Sequence, residues 1–171
     1  MVGSGDGVIS QKTKYALRAL LALAESDGAH PLRIRDIAGS RAIPRKFLEA
    51  ILLELKAGGL VASFRGKNGG YVLAKPAEEI SLADVMRRID GPIAPLPCVS
   101  RRFYSRCADC SGDADCAFRD AFDQAHAANL RVLEATTIAR LCALENEADT
   151  AQGRCDAKAA PDCQVSGKRL G

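Results

Sequence analysis

The sequence predicts a mainly α-helical chain: a small helical head carrying a two-stranded β hairpin, followed by one long C-terminal helix. Three observations predict it. Two short amphipathic stretches flank a tight turn near residue 40, a basic glycine-rich hairpin follows them directly, and a stretch of about 30 residues after position 115 contains neither Gly nor Pro. The 171 residues are 47% hydrophobic and 26% charged, which suits a globular chain and excludes collagen-like and wholly disordered classes. The longest unbroken apolar run, Ala19 to Ala24, is six residues, against roughly 18 to 20 needed to span a bilayer. No membrane partner is expected.

Residues 1–9, with four Gly or Ser, read as a flexible start. From Lys12 to about Ser26, Tyr15, Leu17, Leu20, Leu21, Leu23 and Ala24 recur at helical spacing until Asp27-Gly28. Lys12 and Lys14 before this stretch imitate a signal peptide, but Arg18 splits the apolar segment, so the default compartment is the cytoplasm. A short helix fits Arg33 to Ala38, broken by Gly39-Ser40. Pro44 then suits a first helical position, and Phe47, Leu48, Ile51, Leu52 and Leu55 form a stripe ending at Gly58-Gly59. Two short helices around a turn match the helix-turn-helix, whose second helix enters the DNA major groove. Leu60–Phe64 and Tyr71–Lys75 are β-rich runs joined by Arg65-Gly-Lys-Asn-Gly-Gly70, a hairpin. Together they make a winged helix-turn-helix head over residues 10–90, closed by a helix from Ser81 to Asp90 with Ser81 as its cap.

Charge supports a nucleic-acid partner. Residues 10–75 carry twelve Lys/Arg against five Asp/Glu, a net +7, whereas residues 76–171 carry twelve against fifteen, a net −3. Arg45 and Lys46, in the first turn of the second short helix, are the candidates for the major groove. In the wing, Gly66 and Gly69 let the backbone approach phosphate while Arg65, Lys67 and Asn68 supply charge and hydrogen bonds. Lys12 and Lys14 are further phosphate candidates. No nucleophile triad, phosphate loop or α/β alternation is present, so an enzyme is not expected.

Residues 91–115 read as a long functional loop bearing Cys98, Cys107 and Cys110. A single helix is expected from about Asp115 to Glu145, its residues 116–145 serving as a dimerisation helix. Its apolar positions, among them Phe118, Phe122, Leu130, Leu133 and Leu141, recur near every 3.5 residues and suit pairing with a second copy. Residues 146–171 are expected to be disordered. Four cysteines within nineteen residues, Cys98, Cys107, Cys110 and Cys116, suit thiolate ligation of an iron-sulfur cluster, tetrahedral zinc or a redox-switched disulfide. Cys142 reads as a packing residue, and His30 and His126 as surface residues.

Lys12-Thr-Lys-Tyr-Ala16, Ile34-Arg-Asp-Ile-Ala38, Ile43-Pro-Arg-Lys-Phe-Leu-Glu-Ala-Ile-Leu52, Leu55-Lys-Ala-Gly-Gly-Leu-Val61 and Arg65-Gly-Lys-Asn-Gly-Gly-Tyr71, with the cysteines near residue 100, resemble the Rrf2 family of bacterial regulators over about residues 8–145. That resemblance implies a homodimer, a winged-helix head on palindromic double-stranded DNA, and a [2Fe-2S] or [4Fe-4S] cluster sensing iron, redox state or nitric oxide. It also implies that Glu49 rejects some bases. The family's cluster pattern resembles Cys-x5-Cys-x5-Cys, and here Cys110 and Cys116 match its last two positions. Cys98 matches the first only across eleven residues, with Cys107 as an extra candidate. Where the family's iron-sulfur-assembly regulators have a histidine ligand this chain has Arg119, whose protonated guanidinium has no lone pair for iron. The resemblance also allows a cluster-free regulator controlled by a protein partner.

Overall fold

The computed structural model describes residues 9–26, 30–66, 68–107, 110 and 116–151, without the side chains of 149–151. Its helices are α1 (Gln11–Glu25), α2 (Ile34–Ser40), α3 (Arg45–Ala57), α4 (Leu82–Ile89), α5 (Arg119–Ala135) and α6 (Ile138–Ala151), and its strands are β1 (Val61–Phe64) and β2 (Gly70–Leu73). The core of the head lies where α1 meets α3. Ala16, Ala19 and Leu20 of α1 and Leu48, Ile51, Leu52 and Leu55 of α3 are fully enclosed. Phe47, expected in that stripe, is instead 61% exposed and tilts against Tyr15 at 6.5 Å between ring centres.

Local chemistry sets the element ends. Ser10 accepts from Thr13 N to cap α1, and Ser81 with Asp84 forms a reciprocal capping box on α4. Pro44 is the residue before α3 rather than its first helical position. Ala42, at φ 51°, turns the chain between α2 and α3. Strands β1 and β2 pair antiparallel from Val61 opposite Leu73 to Phe64 opposite Gly70. Leu32 adds a third, single-residue rung, exchanging hydrogen bonds of 2.8 and 2.9 Å with Tyr71. Only glycine fits at Gly70, because a Cβ there would stand 2.4 Å from the Leu32 carbonyl oxygen.

The expected single C-terminal helix is two helices. Thr136 adopts extended backbone, at φ −90° and ψ 109°. The reason is edge pairing: Leu82 N donates to Thr136 O at 2.8 Å and Ile138 N donates to Ile80 O at 2.9 Å, tying the break to the entry of α4. The β-branched run Thr136-Thr137-Ile138 favours that extended backbone. Thr137 Oγ1 then accepts from Arg140 N in the first turn of α6. Folded back by this break, α6 packs on α1, with Ile138 fully buried and Leu141 packed against the head core. Arg41 fastens the same junction, pairing with Glu25 and, at 3.0 Å, with Glu145. Leu133 is buried beside Ala83 and Met86. Of the five residues expected to face a second copy, Leu133 and Leu141 therefore serve the chain's own packing, and Leu130 is half-buried. Phe118, 69% exposed, and Phe122, 40% exposed, face outward.

Candidate nucleic-acid interface and cysteine cluster

Helix α3 opens on the surface with Arg45 and Lys46 exposed. Arg45 Nε donates to Glu49 Oε1 at 3.2 Å across one helical turn, so in the free protein its guanidinium is held by a neighbouring carboxylate. A groove of about 530 Å³ runs from the start of α2, past α3, to the hairpin. Arg33, Arg35, Arg45, Lys56 and Arg65 line it, converging from the start of α2, from α3 and from the wing. Arg35 sits 3.3 Å from Asp36, and Lys56 donates to Ser63 Oγ at 2.6 Å, yet the five cations outnumber the nearby carboxylates. Arg33, Arg35 and Lys56 are additions to the residues expected from sequence. The signal was present as net charge, but only the fold aligns cations separated by more than thirty residues.

Other expected contacts divide. Lys12 Nζ donates to Glu54 Oε1 at 2.6 Å, bracing α1 on α3, while Lys14 is exposed. Gly66 has φ 109°, a conformation that favours glycine, and Gly69 N donates to Gly66 O at 3.0 Å to close the tip. A Cβ at Gly69 would stand 2.5 Å from Phe64 O. Asn68 is exposed at this tip. Lys67 lies outside the described residues.

The cysteine segment is anchored by a 3-10 turn, Pro97–Val99, which packs Cys98 and Val99 against α5. From there Ser105 N donates back to Pro97 O, returning the chain so that Cys107 Sγ stands 3.6 Å from Cys98 Sγ. Cys110 N donates to Cys107 O at 3.4 Å, its thiol lies within the influence of the Cys107 and Cys116 thiols, and Arg106 donates to its carbonyl oxygen at 3.1 Å. The four candidate ligands thus form one chain of thiol contacts, Cys98–Cys107–Cys110–Cys116, and all are free thiols. Burial, then the contact with Cys107, pushes the Cys98 thiol up from its ordinary range, with Arg119 opposing. Burial, then Cys116, does the same to Cys110. Among the described residues no three or more His, Cys, Asp or Glu side chains meet at the geometry of a single metal ion. Cys142 is half-buried against the head core, in the packing position expected, and Cys155 and Cys163 lie outside the described residues. His126, expected on the surface, is only 6% exposed.

A helix-turn-helix whose second helix opens beside a basic wing defines a winged-helix transcriptional regulator. The protein belongs to the Rrf2 family: the family model, described as an iron-dependent transcriptional regulator, matches residues 9–144. A putative HTH-type, rrf2-like transcriptional regulator of Rhodobacter capsulatus is 44% identical over 144 residues, covering 82% of this chain and 96% of that protein. The HTH-type transcriptional regulator NsrR of Geobacillus kaustophilus is 36% identical over 133 residues, covering 78% and 88%. Among solved structures, CymR, the global cysteine regulator of Bacillus subtilis, superposes with TM-score 0.65 at 30% identity, covering 80% of this chain and 96% of that one. Among the described residues no helix is long and apolar enough to cross a membrane.

Proposed function

We propose that this transcriptional regulator binds palindromic double-stranded DNA as a homodimer and that the cysteine cluster reports iron, redox state or nitric oxide to it through an iron-sulfur centre. The observation that carries the sensing half is the single chain of contacts joining the four thiols. An all-thiol donor set at the edge of a helix start is the chemistry that iron-sulfur clusters take, and the family model's description as iron-dependent agrees with it. Cys98, Cys107, Cys110 and Cys116 would hold the cluster, which when bound supplies a centre sensitive to oxidation and to small ligands. Arg119 donates no lone pair, so the fourth ligand falls to Cys107.

The chain's own residues supply the coupling. The segment from Gly91 to Cys116 begins at the end of α4, which packs on the head, and ends at α5. A cluster held by the four thiols would tie the start of α5 to the turn Pro97–Val99 and so bias the angle of α5 against the head. The exposed positions Phe118, which is the N-cap residue of α5, and Phe122, Ala125, Asn129 and Val132 within it follow a four-three-four-three spacing, the seam of a paired helix. Two heads joined along that seam present two basic grooves to two half-sites, and the angle decides whether both engage.

One contact favours a second reading. The 3.6 Å separation of Cys98 and Cys107 also suits oxidation to a disulfide or, with the neighbouring thiols, tetrahedral zinc in a cluster-free regulator. Anaerobic purification with iron and sulfide analysis separates the two. A coloured protein that loses its visible absorption on Cys116→Ser, with DNA affinity shifted roughly 5- to 150-fold for a coupling of about 1–3 kcal/mol, is expected. A colourless wild type whose DNA binding Cys116→Ser leaves unchanged removes the cluster reading.

A further inference from the structure

His126 stands in the wall shared by two cavities, and it is the least expected residue of α5. The residue is 94% buried, and its Nδ1, itself enclosed, has no hydrogen-bond partner among the described residues. The smaller of the two cavities, about 150 Å³, lies between α4, α5 and the turn after Val99. That is about the volume of a protein cavity that takes one benzene ring. Pro92, Ile93, Ala94 and Leu130 give it apolar walls.

Its charge is one-sided. Arg87, Arg101 and Arg102 line it against the single carboxylate of Glu134. Arg87 is already engaged, donating to Glu134 at 2.6 Å. Neither Arg101 nor Arg102 is in an ion pair among the described residues. Two uncompensated guanidiniums and apolar walls closed by the His126 ring together describe a receptor for a small anion with a hydrophobic part. His126, Leu130 and Glu134 are spaced four apart on one face of α5, and the exposed seam uses a different face, so a paired helix leaves this cavity open.

We propose that this cavity is an effector site for a small carboxylate with an apolar body of about ring size, its carboxylate held by Arg101 and Arg102 and its body against Leu130, Ile93 and the His126 ring. The site is independent of the cysteine cluster and uses none of its thiols. It nevertheless touches α4, α5 and the turn beside Cys98, the three parts whose relative placement carries the proposed coupling.

The chain has two histidines, so their ring nitrogens are readily separated by NMR in the full-length 15N-labelled protein, and exposed His30 is an internal control. Sodium benzoate is the probe, titrated at constant ionic strength beside benzylamine and inorganic phosphate. Benzoate is expected to move the His126 resonances saturably, to leave His30 in place and to raise the melting temperature by mass action. Arg101→Ala/Arg102→Ala, two exposed positions whose loss leaves the core intact, is expected to weaken the apparent affinity at least tenfold and to abolish the thermal shift. A His126 that does not respond, an equal response to benzylamine or phosphate, or an unchanged response in the double variant overturns the proposal.

Discussion

Arg45 illustrates how one side chain serves two states. Its pair with Glu49 is exposed on both sides, and such pairs contribute only about 0.3–0.5 kcal/mol, so the tether is easily exchanged for a base edge. A guanidinium fork binding guanine bidentately discriminates by about 1–3 kcal/mol. Arg45→Ala is therefore expected to lose roughly 5- to 150-fold of the preference for a cognate duplex over a scrambled one. Competition binding checks this, and equal losses on both duplexes would reduce Arg45 to a phosphate clamp. The sequence marked Arg45 because a basic residue just after Pro44 opens a helix in any reading. It could not mark Lys12 as a brace, because Glu54 is 42 residues away and only the packing of α1 on α3 brings the two together. His126 was illegible for the same reason. Nothing in its neighbours distinguishes a surface imidazole from one enclosed by a loop folded over it.

At the scale of elements, the break between α5 and α6 was the costliest feature to miss. Helix periodicity continues through Thr136 and Thr137, and neither Gly nor Pro interrupts it. What stops the helix is the offer of backbone partners at Ile80 and Leu82; the β-branched run Thr136-Thr137-Ile138 is a local signal, but β-branching lowers helix propensity only slightly and does not by itself end a helix. The consequence is that Ile138, which the continuous-helix reading places inside the dimerisation helix 116–145, is a fully buried residue of the head. Ile138→Ala is expected to destabilise the monomer by about 2–4 kcal/mol through lost burial and the cavity left behind. Chemical denaturation measures it, and a loss under about 0.5 kcal/mol would mean that α6 contributes little to the head. The seam on α5 makes the complementary forecast. Phe122→Glu places a charge on the outward face and is expected to give folded monomers by sedimentation, with an unchanged circular dichroism spectrum. Leu133→Glu, which buries a charge against Ala83 and Met86, is expected instead to unfold the chain. A Phe122→Glu protein that stays dimeric would move the interface off α5.

The whole molecule joins a basic groove to a sensing loop through helices that fix their separation, and its electrostatics give the most general test. Composition already showed a positive front half and a negative rear. The fold adds that five of those cations share one groove, so they release counterions as a group when DNA is bound. Each phosphate contact contributes about 0.9 to the slope of log affinity against log salt. Removing Arg65 and Lys67 from the wing should therefore lower that slope by roughly one to two units per head. Because wing contacts to phosphate carry little base information, affinity should fall by a similar factor on cognate and scrambled DNA. Removing Arg33 and Arg35, which line the groove from the start of α2, should lower the slope further if the groove as a whole faces the duplex. A filter-binding series across salt concentrations distinguishes the arrangements. If the wing pair leaves the slope unchanged while the α2 pair lowers it, the duplex lies against α2 and α3 alone and the hairpin stands clear of it.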